Sequence, residues 1–108
     1  MTHEFPQIVE GGLRIGRSPW LCLALGWPWA TLEIWSDRLV LAVFWSRYTF
    51  TSANILRLSF TSGILKPALH IEHRIDSYPR YMAFTTYHTR RLANALINAG
   101  YPTDDANA

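Results

Sequence analysis

The chain has 108 residues, a formal net charge of +2 and one cysteine, Cys22. This length suits a single domain over residues 1–108, and 49% hydrophobic with 17% charged residues predicts a globular rather than a disordered chain. A lone cysteine excludes an internal disulfide and favours the reducing cytoplasm. The basic residues are scattered, with nothing denser than Arg90 and Arg91, so we expect no nucleic-acid partner.

The sequence shows neither a targeting segment nor a membrane-spanning one. Residues 1–12 lack a positive region followed by an apolar run, so we expect no secretory signal. The longest uncharged stretch, residues 18–32, is shorter than the roughly 20 apolar residues that a membrane helix needs. Pro19, Gly26 and Pro28 also interrupt it, which argues against a transmembrane helix.

Seven segments have side-chain patterns typical of β-strands. Residues 31–35 alternate, with Leu32 and Ile34 on one face, as in a half-buried strand. Residues 39–45 are almost all apolar, which is typical of a strand covered on both faces. The remaining predicted strands are residues 20–25, 47–51, 56–60, 68–74 and 80–87.

The arrangement of these strands predicts the architecture. Short turns between consecutive strands favour antiparallel pairing, and seven short strands in 108 residues predict a curled sheet or a small barrel. Polar residues, Gly and Pro indicate loose termini at residues 1–12 and 102–108. We therefore predict a mainly β domain whose core spans about residues 13–102.

The spacing of apolar residues changes after Tyr87, from every second position to every third or fourth. The residues that carry the new spacing are Leu92, Ala95, Leu96 and Ala99. This pattern predicts an amphipathic helix, which Gly100 and Pro102 should end. Thr89, rather than His88, is the expected N-cap. Because the apolar stripe must be buried, we expect the helix to close the open end of the curled sheet.

Six segments follow one another in an order that is shared with a known family. They are ATLEI at 30–34, DRLVL at 37–41, ILRL at 55–58, LHIEH at 69–73, YMAF at 81–84 and the helical stretch from Leu92 to Tyr101. Over about residues 28–102 their apolar spacing resembles that of the bacterial pleckstrin-homology-like family. The resemblance implies a bent seven-stranded antiparallel sheet or small barrel capped by one C-terminal α-helix. It also implies a module that binds lipids or peptides, or that forms oligomers.

One turn departs from the pattern of the phosphoinositide-binding members of this family. Those members carry clustered basic residues on the first hairpin. The matching turn in this chain is Ser36-Asp37-Arg38, which holds one acid and one base. The departure argues against phosphoinositide binding and leaves self-association, which is known in the bacterial group, as an expectation.

His70, Glu72 and His73 form the cluster most suggestive of a metal site. In a strand, His70 and Glu72 share one face and His73 points to the other, so only two ligands converge where zinc needs three or four. The sequence also lacks a nucleophile turn of the G-x-S-x-G type and a phosphate-binding glycine loop before a helix. We therefore expect no metal, no cofactor, no catalytic residue and no enzymatic activity.

Arg90 and Arg91 break a local rule, because cations in the first turn of a helix cost about 0.3–1 kcal/mol each. A bound anion would offset this cost at the free N–H groups of the helix start. One hypothesis is a weak site for an anion or an acidic partner, formed by His88, Thr89, Arg90 and Arg91. The favoured alternative places both arginines in solvent, paired with Asp76 or another carboxylate.

Five tryptophans are many for a chain of this length. Most are expected in the core, but Trp35 and one of Trp27 and Trp29 fall on outward faces or in a loop. An exposed aromatic interface at Trp27, Trp29 and Trp35 would favour self-association or a protein partner, whereas the alternative is shallow insertion into a membrane lipid interface. We therefore expect an interaction or oligomerisation module, with a peripheral lipid-binding or anion-binding module second and an enzyme third.

Overall fold

The computed structural model describes residues 6–18, 20–61 and 68–105 and shows a mainly β protein with a helix near the C-terminal end. Its elements are β1 Gln7–Ser18, β2 Leu21–Ile34, β3 Arg38–Val43, β4 Ser46–Thr51, β5 Ile55–Thr61, β6 Ala68–His73, β7 Tyr81–Thr85, α1 Thr89–Asn98 and β8 Asp104–Asp105. Seven antiparallel strands form a curled half-barrel with one C-terminal helix, so the predicted fold class is confirmed. No helix among these residues is long and apolar enough to cross a membrane.

One continuous sheet joins the strands in the order β4-β3-β2-β1-β7-β6-β5-β8. Neighbouring strands are antiparallel except for β8, which lies parallel to β5. β1 connects the two parts of the sheet, because this long strand pairs with β2 over most of its length and with β7 at residues 12–16. The two halves of the sheet therefore meet at β1, with β2–β4 on one side and β5–β7 on the other.

The N-terminal boundary predicted from the sequence is wrong. Residues 7–12, which were expected to be loose, form the first half of β1, and Val9 is fully buried. Residues 104–105, also expected to be loose, pair with β5. The sequence did not predict the first half of β1 because adjacent glycines, here Gly11 and Gly12, normally weaken a β-strand. Residues 1–5 and 106–108, the outer parts of both predicted termini, lie outside the described residues.

Glycine is required at position 11 because β1 and β7 pass very close to each other. A Cβ atom on Gly11 would overlap the carbonyl oxygen of Thr85 and would lie 2.8 Å from the Phe84 ring. No larger residue fits this approach without movement of the backbone. The glycine is therefore a requirement of tertiary packing and not the mark of a flexible end.

β2 merges two predicted strands, residues 20–25 and 31–35, into one strand that bulges between them. The strand expected to be first is therefore the second. The turn at residues 36–38, which the sequence comparison equated with the first hairpin of the family, joins β2 to β3. The first hairpin of this chain is instead the one that joins β1, which ends at Ser18, to β2, which begins at Leu21.

The helix packs against the inner face of the sheet, as its apolar stripe predicted. Leu92 and Leu96 are fully buried and Ala95 is nearly so. All three belong to the same hydrophobic core as Leu39 and Phe50 from the sheet. Burying one leucine side chain contributes about 1.5–3 kcal/mol, so α1 is an integral part of the core.

The sequence predicts the C-terminal end of α1 correctly, but its prediction of the N-cap is wrong. His88, and not Thr89, occupies the N-cap position, and its side chain makes no capping hydrogen bond. Thr86 organises this turn instead, because its hydroxyl oxygen accepts the His88 N–H at 3.0 Å. At the C-terminal end Gly100 has the left-handed φ of 93° that was expected, and its N–H donates to the Ile97 carbonyl at 3.0 Å.

Candidate functional site

The largest irregularity in the sheet carries two tryptophans to the surface. Between two register pairs of the β1–β2 ladder, the single residue Gly12 faces residues 26–29 of β2. The longer segment must leave the plane of the sheet, and it includes a cis peptide bond between Trp27 and Pro28. Trp27 is 49% exposed and Trp29 is 61% exposed.

The β3–β4 turn places two more aromatic side chains beside this bulge. Ala30 pairs with Val43 at the end of the β2–β3 ladder. Trp29 precedes Ala30 on β2 and Phe44 follows Val43 on β3, so both residues lie at this end of the ladder. Phe44 is 75% exposed and Trp45 is 42% exposed, and their rings meet edge to face with centroids 4.9 Å apart. We call the resulting patch the aromatic surface, which consists of Trp27, Trp29, Phe44 and Trp45.

The sequence pointed to the tryptophans of the bulge but missed Phe44 and Trp45. The apolar run at residues 39–45 predicted a strand covered on both faces, whereas β3 ends at Val43. Trp45 instead belongs to the turn, where its Nε1–H donates to the Tyr48 hydroxyl at 3.0 Å. The register between β2 and β3 is what brings these residues to the bulge, and one sequence does not specify that register.

Trp35, the third residue of the predicted aromatic interface, lies apart from the aromatic surface. It follows the opposite end of β2 and is half-buried. Its indole N–H donates to Glu33 at 3.2 Å, and the Arg38 guanidinium lies 4.1 Å from its ring centroid. Glu33 also forms a salt bridge of 2.9 Å with Arg47. The structure therefore engages Trp35 with charged neighbours and does not bring it to the other two tryptophans.

The four residues of the predicted anion site lie together. One shallow, open groove of about 590 Å³ is lined by His88, Thr89, Arg90 and Arg91. Arg91 Nη2 donates to the Ile8 carbonyl oxygen at 3.1 Å, which ties this guanidinium to β1. Asp76, the partner expected in the alternative, lines a separate cleft, and among the described residues neither arginine forms a salt bridge with it. Anion binding at this groove stays a prediction.

The His70, Glu72 and His73 cluster on β6 does not form a metal centre. In the described part of the chain, no group of three or more His, Cys, Asp or Glu residues is placed to hold a metal ion. Both ring nitrogens of His73 are engaged, since the Ile75 N–H donates to Nδ1 at 3.0 Å and Nε2 lies 2.8 Å from the Pro79 carbonyl oxygen. This pattern places the ring proton on Nε2, and His73 thereby anchors the loop after β6.

His70 should make the protein less stable in mild acid than at neutral pH. Burial lowers the pKa of the His70 imidazole below its ordinary 6.5, against the smaller opposing effect of Glu72. As the pH falls below about 6.5 the unfolded chain therefore takes up a proton before the folded chain does, and the free energy of unfolding decreases. Urea unfolding at about pH 7.5 and about pH 5.5 should show a smaller decrease in H70Q than in the wild type. With H88Q as the control, an equal decrease in all three proteins would exclude His70 as the cause.

Comparisons with protein-family models, with curated proteins and with solved structures found no match for this chain. The fold defines a curled sheet sealed by a C-terminal helix, and the aromatic surface is one of its exposed apolar features, together with the tip of the β1–β2 hairpin at Trp20 and Leu21. The function is therefore inferred from the geometry and chemistry of the described residues.

Proposed function

We propose that this protein is a non-catalytic interaction module that associates with a second copy of itself, or with another protein, through the aromatic surface. The observation that carries the proposal is the exposure of Trp27, Trp29, Phe44 and Trp45 near the end of the β2–β3 ladder, with Phe44 and Trp45 in ring contact. We further infer a cytoplasmic module of the bacterial pleckstrin-homology-like type. The lone cysteine supports the compartment, and the curled sheet with its C-terminal helix supports the kinship.

Isolated apolar residues are exposed on every protein surface, but here four aromatic residues are exposed near one another. Contiguous apolar patches mark interaction sites, and tryptophan is enriched among the residues that dominate binding energy. The four rings are already partly buried, so covering the rest of their surface in a complex would contribute roughly 4–8 kcal/mol to the free energy of association. Association costs about 4–15 kcal/mol in lost freedom, so the aromatic surface supports moderate affinity when the surrounding residues also make contact.

Sedimentation velocity over a concentration series tests self-association. The wild type is expected to shift from monomer towards dimer in roughly the micromolar range, whereas W29S/F44S should remain monomeric. Exposed substitutions of this kind usually change stability by less than about 0.5 kcal/mol, so the variant should fold.

The matched control is W20S, because Trp20 is 92% exposed at the tip of the β1–β2 hairpin and lies outside the aromatic surface. This variant should associate like the wild type. A wild type that is still monomeric at about 1 mM would exclude self-association, and an equal loss in W20S would show that the aromatic surface is not the interface.

A second candidate function is peripheral lipid binding through the tip of the β1–β2 hairpin. Trp20, Leu21 and Leu23 are exposed there beside Arg17, and residues 13–25 contain no acidic residue. Exposed Trp next to basic residues suits the interface of an anionic membrane. In flotation with anionic vesicles, W20S should lose binding that W29S/F44S keeps, and a wild type that does not float would eliminate this candidate.

A further inference from the structure

A separate cleft lies on the outer face of the other half of the sheet and shares no residue with the aromatic surface. It has a volume of about 400 Å³ and is bordered by the end of β1, the start of β5, β6 and the start of β7. His70 and Glu72 line it from the face of β6 that is opposite to the buried Leu69 and Ile71. Binding sites for small molecules typically measure about 300–1,000 Å³, so the cleft is large enough for a small ligand.

Two β-bulges direct their extra residues into this cleft. The β1–β2 register shifts within residues 16–18, which leaves Arg17 without a partner across the ladder. The β5–β6 register shifts within residues 55–57, which leaves Leu56 without one. Both extra residues line the cleft. Because bulges re-aim side chains and are common beside binding sites, their convergence indicates that the sheet is shaped around this recess.

Two arginines, Arg17 and Arg80, line the cleft. The last residue pair of the β1–β7 ladder is followed on the two strands by Arg17 and Arg80. Among the described residues neither arginine forms a salt bridge. Glu72, the acid of the cleft, lies opposite Arg57 in the β5–β6 ladder. The arginine pair therefore presents an excess of positive charge to the cleft.

A hydroxyl group and two rings also line the cleft. The Ser18 Oγ accepts the N–H groups of Trp20 and Leu21 at 3.3 and 3.2 Å, which leaves its own O–H free to donate. The rings of His70 and Tyr81 lie together with centroids 5.2 Å apart, and we call this pair the ring wall. Because burial lowers the pKa of His70, its ring is uncharged at neutral pH and adds a flat surface rather than a third cation.

We propose that this recess, the arginine cleft, binds a small organic anion whose carboxylate or phosphate group is held by Arg17 and Arg80. Guanidinium groups bind such oxyanions through paired, charge-assisted hydrogen bonds, and the Ser18 hydroxyl adds a further donor. The organic part of the anion contacts the ring wall and Leu56. The site does not depend on the aromatic surface, so it operates in a monomer and in an assembly alike.

Titration of the isotope-labelled protein, followed by amide chemical shifts at constant ionic strength, tests this proposal. The probes are sodium benzoate and phenyl phosphate, which share a phenyl ring and differ in the anionic group. At least one of them is expected to shift the amides of residues 16–18 and 80–81 and to saturate in about the millimolar range or below. Benzyl alcohol, which has the ring without the charge, should leave these amides unchanged.

The R17Q/R80Q variant should bind the active probe at least about tenfold more weakly, a loss of about 1.4 kcal/mol. R90Q/R91Q is the matched control, because it removes two charges from a different groove, and in this variant the amides of residues 16–18 and 80–81 should titrate as in the wild type. Both variants change exposed side chains, and their amide spectra verify that they fold. The proposal is overturned if neither probe shifts these amides, if R17Q/R80Q binds like the wild type, or if R90Q/R91Q loses binding instead.

Discussion

Replacing Leu96 by aspartate is expected to unfold the protein or to leave a loosely packed state. Leu96 is fully buried in the core that α1 shares with the sheet. Loss of a buried leucine side chain costs about 2–5 kcal/mol, and an unpaired buried carboxylate adds about 3 kcal/mol or more. Because single domains are stable by only about 5–15 kcal/mol, this one change removes most of the stability.

The neighbouring position provides the control for this prediction. Ile97 is the next residue of α1 and is 61% exposed, so I97D should lower the free energy of unfolding by less than about 1 kcal/mol. L96A should give an intermediate loss of about 3 kcal/mol that urea unfolding can measure directly. A native near-ultraviolet circular dichroism spectrum for L96D would mean that the helix does not seal the core.

Alanine at position 11 is expected to be nearly as damaging, although it adds a single methyl group. The new Cβ would overlap the carbonyl oxygen of Thr85 on β7, and a backbone atom cannot rotate away as a side chain can. Overpacking a well-packed interior costs about 1–3 kcal/mol, and more where the neighbour cannot move. We therefore expect G11A to lose at least about 3 kcal/mol in the free energy of unfolding measured with urea.

Gly26 is the matched control for Gly11, because nothing lies within 4 Å of a Cβ atom placed there. G26A should be neutral or more stable by up to about 1 kcal/mol, since alanine restricts the unfolded chain. A G11A protein as stable as G26A would contradict the packing of β1 against β7. It would also return residues 7–12 to the loose terminus that the sequence suggested.

The proposals for the aromatic surface and for the arginine cleft can be tested independently, because their variants change different parts of the sheet. W29S/F44S changes the end of the β2–β3 ladder and should leave anion binding intact. R17Q/R80Q changes the ends of β1 and β7 and should leave self-association intact. Failure of the arginine cleft therefore says nothing against the aromatic surface, and loss of both activities in one variant would point to a general loss of the fold.

The elements that were predicted correctly have patterns that depend on local backbone geometry. The stripe from Leu92 to Ala99 and the left-handed Gly100 located α1, because helical spacing and helix termination involve residues only a few positions apart. The alternation of Leu32 and Ile34 located the second half of β2 for the same reason. β1 was missed because Gly11 reflects its packing against β7, and no neighbour in sequence reveals that contact.

Sequence alone was enough to establish a mainly β chain with a terminal amphipathic helix, because strand and helix periods are properties of short segments. The tertiary structure was needed to bring Trp29 and Phe44 to the same end of the β2–β3 ladder and to bring Arg17 and Arg80 into the lining of one cleft. These arrangements involve residues that are distant in the chain, and they follow from strand register and from bulges. A shift of one residue in either register would send the same side chains to other neighbours.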